Sequence, residues 1–256
     1  MRAWNIAHRG AAGINPENTL AAFDDARARG CDGAELDVQL SRDGVAVVHH
    51  DFRLMADVAR NDGAWLDAPG PRIKDLTLAE LRRFDIGRPR PGSAYAATHP
   101  LLQAVDGAVI PTLAEVVALV RPGFTLMVEL KCDLSDDSAD PVALADAAFA
   151  VAGADVIYVG FDWRALLRIR ERGGTCWFTT DKLKGDARPV IDAIVAAGGQ
   201  GWFPNFPDAT PDAVAYAKAR GLKVGAWTVN DPADMARLAG LDALCTDRPD
   251  LLAGLT

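Results

Sequence analysis

Short apolar runs recur along the chain, each followed by a stretch with helical spacing. Trp4–Ala7, Gly33–Val38, Thr125–Leu130, Val156–Phe161, Thr175–Phe178, Gly201–Pro204, Lys223–Thr228 and Ala243–Cys245 have the length and composition of buried strands. The intervening helices carry start and stop signals. Asn18 or Thr19 opens Leu20–Arg29 and Gly30 closes it. Thr112 opens Leu113–Val120, and Pro141 suits the first turn before Val142–Val151. Thr210-Pro211 and Asp231-Pro232 open two more, ended by Gly221 and Gly240. Eight strands in this alternation predict an α/β fold, a (β/α)8 TIM barrel rather than an open doubly wound sheet.

One stretch breaks the rhythm. From Asp51 to Ile110 the chain runs far beyond a single loop and helix, with one helical segment at Leu76–Phe84 and two Pro/Gly-rich patches around it. The expectation is one domain over residues 1–256 with an insertion at about 51–110. Inserted after the second strand, it overhangs the C-terminal face, where barrel active sites lie. Arg60, Trp65, Leu66, Arg72 and Tyr95 are its candidates for shaping the pocket.

A length of 256 residues fits one barrel, and half the residues are apolar, enough for a large core. The net charge of −8 and pI near 5.0 argue against nucleic-acid partners and anionic membranes. No run approaches the ~18 apolar residues of a membrane span, and the N-terminus lacks a leader pattern. A cytoplasmic location without stable membrane insertion is expected. The four cysteines are scattered with no C-x-x-C pair, against zinc ligation or a disulfide framework.

Polar residues gather at the predicted strand ends. In Gly33–Val38, alternation puts Glu35 and Asp37 on one face, starting ~7 Å apart at a rise of ~3.3 Å per residue. Two ionised carboxylates that close in a dry site need a cation or a proton, and a hard divalent cation is the simplest solution. His8-Arg9 follows the first strand, Glu129 and Lys131 share a face at the end of the third, and His50-Asp51 follows a short extended run. Trp227 and Asp247 end the last two strands. Strand ends converge in a barrel. Acids, histidines, an arginine and a lysine in one pocket suit metal-assisted chemistry on an anionic oxygen substrate. The same acids could instead form an ion-pair network with Arg9 and Lys131. Alternation turns His49 away from His50, which makes His50 the candidate for catalysis.

Taken in order, His8-Arg9-Gly10, Pro16-Glu17-Asn18-Thr19, Glu35-Leu36-Asp37-Val38, Asp43-Gly44 leading to His50-Asp51, Glu129-Leu130-Lys131, Trp227-Thr228-Val229-Asn230 and Thr246-Asp247-Arg248-Pro249 resemble the glycerophosphodiester phosphodiesterase family. The resemblance spans Ile6 to Pro249. It implies a TIM barrel with an insertion after the second strand, and cleavage of glycerophosphodiesters to glycerol 3-phosphate and an alcohol. It further implies His8 and His50 as the acid–base pair, and Glu35, Asp37 and Glu129 as ligands of one divalent cation, Mg2+ or Ca2+. Arg9 and Lys131 would bind phosphate, Trp227 would wall the glycerol side, and Glu17 and Asn18 would support the site. Analogy with the related bacterial phosphoinositide phospholipases C favours His8 as base and His50 as acid. The stretch Met55–Ala64 departs from the family pattern, which leaves open phosphodiesters of other head groups, such as lysophospholipids or sugar phosphodiesters. A barrel that only binds phosphodiesters is the remaining alternative.

Overall fold

The computed structural model describes residues 2–135 and 139–255. Eight parallel strands form the sheet: β1 (Trp4–Ala7), β2 (Gly33–Leu40), β3 (Thr125–Leu130), β4 (Ile157–Gly160), β5 (Thr175–Thr180), β6 (Gly201–Pro204), β7 (Lys223–Ala226) and β8 (Ala243–Thr246). Each pairs with its neighbours in sequence, and β1 pairs with both β2 and β8, which closes the barrel. The expected TIM barrel is the fold, with strand ends moved by up to two residues.

Burial on both faces explains the apolar runs. Leu36 and Val38 of β2, with Leu126, Val128 and Leu130 of β3, face the surrounding helices in the larger core. The inner faces contribute Ile6, Met127, Ile157, Val159, Trp177, Phe203 and Cys245, which fill the barrel. On β2 the inward positions near the C-terminal end are Glu35 and Asp37, and the register sets Glu35 level with Met127 and Asp37 level with Glu129. The helix starts follow local chemistry. Thr19 accepts the Ala22 N–H, Thr112 and Glu115 form a capping box, and Asp140 caps the helix that begins at Pro141.

Between β2 and β3 lies a distinct substructure. The strand Ala46–Val48 folds back antiparallel on the end of β2. Beyond it, Ala64–Trp65, Arg60–Asn61 and Phe84–Asp85 make a small antiparallel sheet. Its hairpin turns at Asp62-Gly63, both left-handed at φ 51° and 81°, the conformation a two-residue turn demands. The helix expected over Leu76–Phe84 is only Leu78–Leu81, closed at its start by a Thr77/Glu80 capping box, because Phe84 joins the sheet. Val47, Leu54, Ile73, Leu81, Ile86 and Ile110 give this substructure its own apolar core.

Arg60 and Trp65 do not shape the pocket as expected. Arg60 is tied to Asp85 and Asp106 and lies over the Trp65 ring, 5.5 Å from its centroid. Both serve the fold of the substructure. Leu66 packs against its core. Tyr95 and Arg72 do reach a cleft, described below.

Candidate active site

Strand register assembles the site. Ala7, the last residue of β1, is level with Ala34 on one side and Thr246 on the other. The next step therefore sets His8 beside Glu35 and Asp247. His8 Nε2 stands 3.9 Å from Glu35 Oε2, and Nδ1 lies 2.6 Å from Asp247 Oδ1. Burial works against charge on Asp247, yet His8, Asn230 and Arg9 hold its pKa down at about 2. A charged Asp247 makes Nδ1 the protonated nitrogen of neutral His8, so Nε2 carries the lone pair. Asn230 Nδ2 donates to Asp247 Oδ2 at 2.6 Å, while its Oδ1 accepts the Asp247 N–H.

Arg9 follows in a left-handed conformation at φ 50°, and Gly10 continues at φ 77°. A side chain at position 10 would meet Ala22 Cβ at 2.7 Å, so this turn needs glycine. The turn brings the Arg9 backbone N–H to Glu35 Oε2 at 3.2 Å and its side chain across to Glu17. Arg9 Nη1 bonds both Glu17 oxygens, at 3.1 and 3.2 Å, and Nε stands 3.4 Å from Asp37 Oδ2. Asn18 is also left-handed at φ 57°, which turns its amide to Asp37 Oδ2 at 2.8 Å.

Glu35, Asp37 and Glu129 each offer an oxygen within 4.8 Å of the others. Glu35 and Asp37 are fully enclosed. Burial and the charges of Asp37 and Glu129 raise the Glu35 pKa well above the usual range, against the pull of Arg9. Asp37 is buried too, yet Arg9, His50 and Lys131 hold its pKa well below normal. Glu35 Oε1 is buried and meets no hydrogen-bond donor among the described residues. An orphaned carboxylate oxygen facing two more acids fits a hard divalent cation. Lys131 Nζ lies 2.9 Å from Glu129 Oε1 and 3.7 Å from Asp37 Oδ1.

His50 Nδ1 is 2.7 Å from Asp51 Oδ1. Asp51 is pulled by burial toward neutrality, but the His50 hydrogen bond lowers its pKa. His50 thus repeats the arrangement of His8, with Nδ1 on a carboxylate and Nε2 left for chemistry. His49, by contrast, is buried, and its backbone N–H donates to the Asp37 carbonyl at 2.9 Å. Trp227 ends β7. Its Nε1 donates to the Phe203 carbonyl at 3.1 Å, and Phe161 meets its ring edge-on at 5.6 Å.

Three contributors escaped the sequence reading. Asp247 and Asn230 stood at strand ends and within the motifs of the resemblance, with no role attached to either. Gln39 Nε2 lies 2.7, 3.2 and 2.9 Å from the carbonyls of His49, His50 and Asp51, pinning the segment that carries His50. Its signal was the alternation Glu35, Asp37, Gln39 on one face. Next to this centre, a cleft of about 910 Å³ is lined by Asp51, Phe52, Met55, Arg72, Tyr95 and Asp133 among others.

The chain has relatives among known proteins over its whole length. The chain is 31% identical over 279 residues to the glycerophosphodiester phosphodiesterase of Caldanaerobacter subterraneus subsp. tengcongensis, covering 100% of this chain and 98% of the relative. A solved structure from Silicibacter pomeroyi DSS-3 superposes with a TM-score of 0.90 at 32% identity, covering 98% and 92% of the two chains. An Oleispira antarctica phosphodiesterase, solved with the product sn-glycerol-3-phosphate, superposes at 0.77 with 26% identity and 97% and 94% coverage. Residues 8–251 match the glycerophosphoryl diester phosphodiesterase family as a whole, and the chain belongs to that family.

Proposed function

We propose that this enzyme hydrolyses glycerophosphodiesters to glycerol 3-phosphate and an alcohol, with one divalent cation held by Glu35, Asp37 and Glu129. The observation that carries the reading is the cluster of three acids, Glu35 and Asp37 enclosed and Glu129 partly buried, with its unpartnered Glu35 oxygen, facing a histidine whose other nitrogen is fixed by Asp247. When bound, the cation would neutralise a phosphoryl oxygen and make phosphorus more electrophilic. Arg9 and Lys131 add positive charge for the phosphate, Arg9 as a planar fork and Lys131 as a point charge.

His8, with its lone pair on Nε2, takes the proton of the attacking oxygen, either from water, which gives glycerol 3-phosphate directly, or from the glycerol 2-hydroxyl, which gives a cyclic phosphate that water then opens to glycerol 3-phosphate. His50, protonated and braced by Asp51, gives a proton to the leaving alcohol. Trp227 walls the glycerol side. The leaving alcohol extends toward the cleft lined by Phe52, Met55 and Tyr95, whose volume of about 910 Å³ also suits larger head groups. Either histidine variant, His8→Ala or His50→Ala, should lose at least about 10²-fold in glycerol 3-phosphate release from glycerophosphocholine. Near-normal turnover in either variant would remove that residue from the mechanism.

A further inference from the structure

One side chain of the inserted substructure reaches into the phosphate-binding apparatus. Tyr95, on the short helix Ala94–Thr98, donates its hydroxyl to Glu17 Oε2 at 3.0 Å. Glu17 is the carboxylate that grips Arg9 Nη1 with both oxygens. Among the described residues, Arg9 and Tyr95 are the side-chain donors to Glu17. The tyrosine is itself held, stacked on His99 with ring centroids 4.1 Å apart and planes 14° apart. Burial and the Glu17 charge raise its phenol pKa well above 10, so it remains a donor at any working pH.

Arg9 lies between two attractions. Glu17 holds Nη1, while Asp37 Oδ2 lies 3.4 Å from Nε. If Glu17 lost its third hydrogen bond, it would be freer to shift, and Arg9 would be drawn toward the acids of the metal site. A guanidinium paired there would oppose both the cation and the phosphate. Tyr95 also lines the cleft on the leaving-group side, so it spans the two halves of the pocket.

We infer that Tyr95 is a positioning residue for phosphate binding, acting through Glu17 on Arg9, and that the inserted substructure thereby sets phosphate affinity as well as leaving-group fit. This rests on the phosphodiesterase reading above. It differs from a simple head-group wall, because loss of the hydroxyl should weaken every glycerophosphodiester alike.

The test uses Mg2+-saturated wild-type protein and Tyr95→Phe, which keeps the ring and its stacking and removes only the hydroxyl. The inference predicts that KM for glycerophosphocholine and for glycerophosphoglycerol both rise about 5-fold, the scale of one lost hydrogen bond to a charged group acting indirectly. The inhibition constant of glycerol 3-phosphate should rise by the same factor, with kcat within about 2-fold of wild type. Glu17→Gln should show the same signature more strongly. Unchanged KM and inhibition constants, a change confined to one head group, or a fall in kcat alone would each overturn it. Calorimetric binding of inorganic phosphate to both proteins is read separately from turnover. Absent turnover in the wild type would count against the proposed function, whereas equal phosphate affinity in wild type and Tyr95→Phe would count against this inference.

Discussion

His8 Nδ1 and Asp247 Oδ1 lie 2.6 Å apart across 239 residues of sequence. The contact exists because the first and last barrel strands pair in parallel, with Ala7 level with Thr246. Closure of the barrel thus supplies His8 with the carboxylate that selects its tautomer. Asp247→Asn can no longer enforce Nδ1 protonation, and kcat should fall at least about 10²-fold with little change in metal affinity. Steady-state kinetics beside a metal titration checks this. An Asp247→Asn enzyme with wild-type kcat would show that the carboxylate does not set the histidine.

The same pair predicts a pH dependence of stability. Asp247 has a folded pKa lowered from 3.8 to about 2. A carboxylate with a depressed folded pKa stabilises the native state above its unfolded value and loses that contribution as pH falls through the folded one. The contribution is about 2 kcal/mol, present above pH ~4 and lost between there and pH ~2. Chemical denaturation of wild type and Asp247→Asn across this range should give curves that converge at the acid end. A gap that stays constant from pH 7 to 2 would contradict the assignment.

His49 and His50 are neighbours with opposite fates. His50 is half-exposed on the site and bonded to Asp51, whereas His49 is enclosed, with Nε2 lacking a hydrogen-bond partner among the described residues. His49→Ala should cost about 2 kcal/mol of stability through lost packing while leaving turnover within about 5-fold. His50→Ala should show the reverse pattern. If His49→Ala proved the inactive variant and His50→Ala the active one, the assignment of the second histidine would be wrong.

Within the inserted substructure, position separates the two kinds of residue. Trp65 covers Arg60, which is paired with Asp85 and Asp106, so Trp65→Ala should lower the melting temperature and leave the ratio of kcat/KM between head groups unchanged. Phe52 and Met55 line the cleft beside Asp51, so Phe52→Ala or Met55→Ala should change that ratio by about 10-fold or more. Measuring glycerophosphocholine against glycerophosphoglycerol with each variant decides it, and a head-group shift in Trp65→Ala alone would reverse the assignment.

What could be read in advance was whatever depends on short-range periodicity. Glu35 and Asp37 fall on one face of β2 by alternation alone, and their alignment with Glu129 follows once β2 and β3 pair. Helix starts such as Thr19 and Thr112 were legible because capping is local. The His8–Asp247 pair was not, since it exists only after the barrel closes. The hairpin at Asp62-Gly63 carried a usable turn signal, but its two-residue strands are too short to show a period. Arg60 and Trp65 were expected at the pocket because their segment is inserted after the second strand, on the face where barrel sites lie. A cation and an aromatic there serve an ion pair within the substructure equally well. Only the positions of Asp85 and Asp106 distinguish them.

The proposed role of Glu35, Asp37 and Glu129 is to hold a catalytic divalent cation for phosphodiester hydrolysis. It is tested most directly by following glycerol 3-phosphate released from glycerophosphocholine while titrating Mg2+ or Ca2+ into metal-free wild type, Glu35→Gln, Asp37→Asn and Glu129→Gln. Wild-type activity should vanish on chelation and return with added cation, and each variant should need more cation and turn over more slowly, the two losses moving together. Glycerol 3-phosphate release that persists in full after chelation, or any of the three variants fully active at the wild-type metal concentration, would contradict it.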